Sequence, residues 1–392
     1  MLGRNFKSFA FLKKNYASNV NEMDIIRNLV ISKQYGIDNY ILKGYNETLT
    51  EQMMNIASTV VVNKNQSYDV KYSTFYSGVT ELYKWRGGVL APNGKIYGVP
   101  YNATQVLCID PKTDSTELFG NLSGTDKWNG GVLAPNGKIY CIPRNASQVL
   151  CIDPETHTTE LFGNLSGAAK WMSGVLAPNG KIYGMPLASE YILCIDTTNN
   201  DIELLRYVDD GGWSYRWLSG VLAPNGKVYG IPNDHNKIIC INPENNEIEL
   251  FGDLDGLAKW RGAVLAPNGK IYGIPHGATQ VLCIDPETHT YELFGDLQGS
   301  SKWTGGVLAP NGKIYGIPET ADGILCIDPD INTTEIIGSF SGNNKWCGSA
   351  LSFNGAIYAI PYTCNDVLKI SFGDISNFKM ETLLSPLINT DF

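Results

Sequence analysis

The stretch KWRGGVLAPNGKIYGVPYNATQVLCIDP, Lys84 to Pro111, returns almost unchanged as KWNGGVLAPNGKIYCIPRNASQVLCIDP from Lys127 to Pro154. Its tryptophan recurs at Trp85, Trp128, Trp171, Trp217, Trp260, Trp303 and Trp346, in steps of 43, 43, 46, 43, 43 and 43 residues. A unit of roughly 40 to 50 residues repeated this often marks an array whose members bury their faces only against one another. Each unit carries Asn-Gly eight residues after its tryptophan, from Asn93-Gly94 to Asn354-Gly355. Between apolar runs this pair signals a tight hairpin and predicts a type I′ turn, with φ > 0 at both central residues.

One unit reads Gly-Gly-Val-Leu-Ala, turn, Lys-Ile-Tyr-Gly-Ile-Pro, a variable stretch, Val-Leu-Cys-Ile-Asp, a Pro-containing turn and Thr-Glu-Leu-Phe-Gly, which makes four short strands. The expectation is an all-β chain: a seven-bladed β-propeller of four-stranded blades over residues 73–392, preceded by a small α+β segment over residues 1–72. The small apolar first strand suits the crowded innermost position. The tryptophan before it suits the wedge between blades. The motif Trp-x-Gly-Gly-Val-Leu-Ala-Pro-Asn-Gly-Lys-Ile-Tyr-Gly-Ile-Pro resembles repeats of β-propeller proteins, among them tachylectin-type lectin propellers, kelch-like repeats and, more distantly, the streptogramin lyase propeller. This resemblance runs from residue 85 to about 384 and is specific for architecture, not for activity.

Residues 1–72 share nothing with the repeats. A helix is expected after Asn21, with Met23, Ile26, Leu29 and Val30 on one face and Gly36 as its stop. Thr48 and Glu51 form a capping box for a second helix, and STVVVN and SYDVKYST alternate as strands do. YDVKYST either closes the ring by pairing with the outer edge of blade 7, or belongs to a segment that attaches the propeller to a larger assembly. Phe378–Leu384 reads as blade 7's own fourth strand, and that favours attachment.

The net charge of −9 is uneven: residues 1–84 hold 10 Lys/Arg against 7 Asp/Glu, and the rest 20 against 32. An acidic propeller without a basic stripe disfavours nucleic acid as a partner. No apolar run approaches the ~18 residues a membrane helix needs, so membrane insertion is not expected. The start reads as no secretory signal, so folding in the cytoplasm is expected. Cys108, Cys151, Cys194, Cys240, Cys283 and Cys326 occupy one repeat position on successive blades and are expected to be buried free thiols.

Variation among near-identical copies marks one rim, on the loops joining second to third strands. It includes Tyr101-Asn102, Arg144-Asn145, His276-Gly277, Glu319-Thr320 and Tyr362-Thr363. The extra three residues between blades 3 and 4 give RYVDDGGWSYRW, which holds the only tryptophan outside the repeat position. Trp213 with Asp209, Asp210, Tyr215 and Arg216, near Tyr191 and His235, has the composition of a sugar site: an apolar ring plus a few orienting polar groups. Packing of Trp213 over the channel mouth is the structural alternative. The basic residue before each repeat tryptophan (Lys84, Lys127, Lys170, Arg216, Lys259, Lys302, Lys345) forms either an anion-binding ring or, as preferred here, solvated stems paired with carboxylates.

No nucleophile elbow, phosphate loop or His-rich cluster is present, and the second strand ends in Gly-Ile-Pro, which transfers no protons. These observations predict no catalytic residues, no metal and no cofactor. The expected function is non-catalytic recognition of a surface glycan or polymer, in the manner of a phage tail or baseplate receptor-binding protein carried on a released particle. A protein-interaction scaffold is the alternative, and a lyase or hydrolase the least favoured one.

Overall fold

A computed structural model describes residues 70–207 and 215–373. The expected N-terminal helices and the strand at Phe378–Leu384 lie outside these residues. Among the described residues, twenty-eight strands form seven separate four-stranded antiparallel sheets, one per repeat. No helix among them is long and apolar enough to cross a membrane.

The first blade pairs β2 (Trp85–Leu90), β3 (Ile96–Pro100), β4 (Val106–Asp110) and β5 (Ser115–Phe119) in that order. Strands β6 to β25 repeat this arrangement in blades 2 to 6, from Trp128 to Ile337. β2 contacts the first strands of both neighbouring blades, so first strands line the axis. β3 is buried along its whole length, whereas β5 is half solvated. That gradient explains why the second and third strands are nearly continuous apolar runs while the fourth alternates.

Seven apolar clusters fill the structure, and each draws on two adjacent blades. Trp85, Leu107 and Ile109 of blade 1 pack with Tyr358, Ile360 and Val367 of blade 7. Each repeat tryptophan is therefore an inter-blade wedge. Its indole N–H is also satisfied: Trp85 Nε1 donates to the Gln105 carbonyl at 2.8 Å, and Trp128 makes the equivalent bond to Gln148 at 2.8 Å.

The Asn-Gly hairpins differ from the expected type I′ form. Only the glycine has positive φ, 83° at Gly94, with Gly94 N donating to Ala91 O at 3.0 Å and Ala91 N to Lys95 O at 2.9 Å. This is a type I turn followed by a left-handed glycine. In blades 1 to 6 the proline before Asn-Gly enforces this form, because it fixes φ near about −65° where a type I′ turn over the same residues needs the opposite sign, and Phe353 of blade 7 takes the same turn without it. Asn93 is freed for another task. Its Nδ2 donates to Tyr97 Oη at 2.9 Å and to the Pro154 carbonyl of the next blade at 2.9 Å.

This inter-blade latch recurs, and it accounts for the Asn and Tyr that all seven repeats share in Asn-Gly-x-x-Tyr. Tyr140 Oη meets Asn200 Oδ1 at 2.9 Å, Tyr229 Oη meets His289 Nε2 at 3.0 Å, and Tyr358 Oη meets Asp114 Oδ1 at 2.7 Å across the ring closure. The receiving position has positive φ in each of these (Asn200 64°, His289 53°, Asp114 52°), and residue types that tolerate the left-handed region occupy it. His157 and His289 are thus latch residues.

Blade 7 consists of β26 (Trp346–Leu351), β27 (Ile357–Pro361), β28 (Asp366–Phe372) and, as its fourth strand, β1 (Val70–Tyr76). β1 pairs antiparallel with β28 from Val70↔Phe372 to Tyr76↔Asp366. The N-terminal strand therefore closes the ring, and the edge that Phe378–Leu384 was expected to occupy is already taken. The boundary expected between residues 72 and 73 falls inside β1.

The first strands approach so closely that a Cβ on Gly348 would stand 2.7 Å from Gly87 Cα, while one on Gly137, in a hairpin turn, meets nothing within 4 Å. Both have φ near +80° (79° and 80°), so both substitutions carry a similar left-handed penalty of about 1–2 kcal/mol. Gly348→Ala is expected to lower the chemical denaturation midpoint clearly more than Gly137→Ala; equal losses would refute the tight inner ring.

Candidate functional site

In every blade the pairing of first and second strands slips just after the tryptophan, as between Trp85 and Gly88. A bulge of this kind re-aims the side chain at the slipped position. That position holds Arg86, Asn129, Met172, Leu218, Arg261, Thr304 and Cys347 in blades 1 to 7. Beside it stands the residue after the strand-ending proline: Tyr101, Arg144, Leu187, Asn233, His276, Glu319 and Tyr362. These two rings meet at the axis. Arg86 of blade 1 interacts electrostatically with Glu319 of blade 6, and Cys347 of blade 7 with Arg261 of blade 5, although those blades are not neighbours.

The polar residues form one network. The Arg86 guanidinium lies between the Tyr101 and Tyr362 rings, 4.4 and 4.5 Å from their centroids, and donates from Nη2 to Tyr362 Oη at 2.5 Å. Such stacking preorients a guanidinium at little entropic cost. Arg144 approaches the Tyr101 ring at 5.7 Å and Asp126 at 3.7 Å. Glu319, 3% exposed, accepts from Arg261 Nη1 at 3.3 Å and lies 3.0 Å from His276 Nε2. Burial pushes its carboxyl up, but the His276 hydrogen bond and the Arg261 and Arg86 charges outweigh that and hold it below the usual carboxylate range. An ionised Glu319 can only accept, so His276 Nε2 donates in this contact.

The network is incomplete. Arg86 Nε, Arg144 Nε, Arg261 Nε, His276 Nδ1 and Asn233 Oδ1 are buried without a protein partner. Buried polar atoms are rarely left so, and the four on Arg86, Arg144, Arg261 and His276, joined through Tyr101 and Glu319, favour an acceptor-rich group entering from outside.

The residues expected to form a sugar site are placed differently. Asp209, Asp210 and Trp213 lie outside the described residues. Tyr191 and Tyr215 are exposed, and their backbones are structural: the Tyr191 carbonyl accepts from Trp171 Nε1 at 2.7 Å, and that of Tyr215 from Asp234 N at 2.9 Å. Arg216 is buried and reaches the Ser189 carbonyl at 3.5 Å. His235 is wholly buried, stacked on Trp217 at 4.5 Å, with Nδ1 accepting from Lys237 N at 2.9 Å. It belongs to the inter-blade core, not to an open rim. Among the described residues, Cys108, Glu117 and His157 come near enough together to hold a metal ion, yet His157 Nε2 is already engaged with Tyr97 Oη at 3.2 Å in a latch that other blades build with Asn.

The basic residues before each tryptophan are neither an exposed ring nor solvated stems. All seven are buried. Lys127 Nζ donates to the Ala103 and Gly124 carbonyls at 2.9 Å each, and Lys259 Nζ to those of His235 and Gly256 at 3.0 and 2.7 Å. Their partners are loop carbonyls, with the Trp128 and Trp260 rings 5.8 and 5.9 Å away. A long donor is used here because the loops leave carbonyls that no backbone N–H can reach. The nine cysteines are free, and eight are buried, the six repeat positions among them as expected.

No protein-family model matches the sequence, and no curated protein sequence matches it. Solved structures do resemble it in fold. A streptogramin B lyase superposes with a TM-score of 0.68 at 14% identity over 78% of this chain and 98% of that one. A catalytically inactive variant of virginiamycin B lyase from Staphylococcus aureus, with quinupristin, gives 0.67 at 13% over 77% and 99%. The extracellular domain of a protein described as a hybrid two-component system from B. thetaiotaomicron gives 0.61 at 11% over 77% and 42%. At these identities the likeness is one of fold alone. It corrects the expectation that the chain is not an enzyme: the same seven-fold scaffold carries a lyase, so the architecture offers no argument against catalysis. The premise behind that expectation also fails, because the residues following Gly-Ile-Pro include His276 and Glu319.

Alkaline pH tests the buried network. Burial lowers Lys127, Lys170 and Lys259 to about 8 from an ordinary 10.5, so they lose protons before the unfolded chain does, and stability gains from them between about pH 8 and 10.5. Burial raises the thiols of Cys108, Cys151, Cys194, Cys283 and Cys326 from 9.0 to about 11 and the phenols of Tyr140 and Tyr183 from 10.0 to about 12. There the unfolded chain ionises first, and stability is lost as pH rises from about 9. The expected melting temperature is level between pH 8 and 9 and falls steeply above pH 10; a melting temperature unchanged at pH 11.5 would contradict the buried thiols and phenols.

Proposed function

We propose that the propeller receives a ligand at the channel mouth and that the ligand presents an anionic group. The observation that carries this reading is the set of buried, unpartnered polar atoms on Arg86, Arg144, Arg261 and His276, where Glu319 is the buried ionised carboxylate and Asp126 pairs with Arg144 at 3.7 Å. Three guanidiniums against two carboxylates, Glu319 and Asp126, leave a local positive excess of one in a chain of net charge −9. Local geometry, not the overall balance, selects the ligand. A planar carboxylate suits the guanidinium fork, and the stacked tyrosines hold Arg86 ready for it. A surface glycan enters this reading through an acidic sugar.

A second reading is favoured by the His276–Glu319 pair. With Glu319 ordering Nε2–H, Nδ1 is left as a base within a buried site, an arrangement suited to taking a proton from the bound ligand. The lyase likeness is compatible with that chemistry without requiring it.

Calorimetric titration with carboxylates and matched neutral compounds tests the binding reading. Saturable binding of the charged members alone is expected. Arg86→Met or Arg261→Met should weaken it roughly tenfold or more, the effect of losing a hydrogen bond to a charged group of ~1.5–3 kcal/mol. Equal binding of charged and neutral compounds, or indifference to both substitutions in folded protein, would remove it. Product analysis of bound ligands, with turnover abolished by His276→Gln, tests the second reading.

A further inference from the structure

The mouth is mostly apolar on one side and polar on the other. Going round the axis, blades 5, 6, 7, 1 and 2 contribute the charged residues, the tyrosines, Thr304, Cys347 and Asn129 at the two ring positions. Blades 3 and 4 place Met172, Leu187 and Leu218 there beside one polar residue, Asn233, and the three apolar side chains pack together as a separate cluster, detached from the inter-blade clusters. In a ring of seven, the boundary between blades 3 and 4 lies opposite blade 7, so this apolar wall faces Cys347 and Tyr362 and, beside them, Arg86. Asn129 Nδ2 meets Met172 Sδ at 3.1 Å, and on blade 4 Asn233 Oδ1 is buried without a protein partner.

Both ring positions are free to vary, since the packing that closes the blades is made elsewhere by the tryptophan, the glycines and the latch. A polyhydroxylated ligand filling such a mouth would leave its hydroxyls against thioether and methyl groups on one side, each an unsatisfied polar group. A ligand with an apolar body would bury that body against the wall while its acid group meets the guanidiniums.

We infer that the ligand is an amphipathic carboxylic acid, with its carboxylate toward Arg86, Arg261 and His276 and a compact aliphatic or aromatic body toward Met172, Leu187 and Leu218. The inference rests on the reading that the mouth takes an anion and narrows it to one chemical class. It separates this chain from recognition of an acidic sugar, whose charge would fit and whose ring hydroxyls would not.

The test is titration of the full chain with acetate, galacturonate, hexanoate and benzoate, and with hexanol and benzyl alcohol as uncharged counterparts, followed by calorimetry or ligand-observed NMR. Hexanoate or benzoate is expected to bind at least roughly tenfold more tightly than acetate and galacturonate, the effect of burying about two methylene groups or more, and the alcohols are expected to bind far more weakly. Met172→Gln and Leu218→Gln should each lower hexanoate affinity severalfold. The wild-type series stands by itself should either variant fail to fold. Galacturonate binding as tightly as hexanoate would overturn the amphipathic ligand and leave the anion reading intact. Alcohols binding as tightly as the acids, or no acid binding at all, would overturn both.

Discussion

A four-stranded sheet in this chain has two apolar faces and no interior of its own, and everything else in the structure follows from that constraint. Each face is covered only by the neighbouring blade, so the tryptophan, the second and third strands and the tyrosine of one repeat form a core with residues of the next. An open array would leave the outward faces of its two terminal blades uncovered. Closure is made non-covalently by Val70–Tyr76 pairing with Asp366–Phe372, and by Tyr358 latching onto Asp114 across the junction.

Because blade packing is settled by so few side chains, the inner rim is released from it. The strand slip after each tryptophan turns one side chain per blade toward the axis, and the residue after the strand-ending proline stands beside it. Charges gathered there act at short range in a partly desolvated space, where a guanidinium stacked between tyrosines and a carboxylate held by histidine and arginine are worth more than on the outer surface. On the outer surface, Lys95–Glu117 at 3.8 Å and Lys181–Glu203 at 3.9 Å are exposed pairs, each worth only ~0–1 kcal/mol.

Burial also explains why the conspicuous basic repeat is not a binding ring. A basic residue before each repeat tryptophan, lysine in six blades and Arg216 in blade 4, looks like a charged surface when the sequence is read linearly. In the fold the lysine ammonium sits where two loops leave carbonyls without donors, and it answers the same hydrogen-bond deficit in blade after blade. His235 misleads in the same way, since a histidine on a varying loop is in fact a core residue stacked on Trp217.

The repeat period, the four-strand unit, the seven blades, the wedging tryptophans and the buried free cysteines were determined by the sequence alone, because periodic apolar patterning and turn chemistry are local properties. The turn type was legible as well, through Pro92, though Asn-Gly pointed to the wrong mirror form. The variation at Arg144, His276 and Glu319 was visible, and that at Arg86 and Arg261 lay in the residue after each tryptophan. Only the tertiary structure decided that these residues share one axis, that the lysines turn inward, and that the first strand belongs to the last blade. Those outcomes depend on contacts between residues tens to hundreds of positions apart, for which a one-dimensional pattern carries no distance.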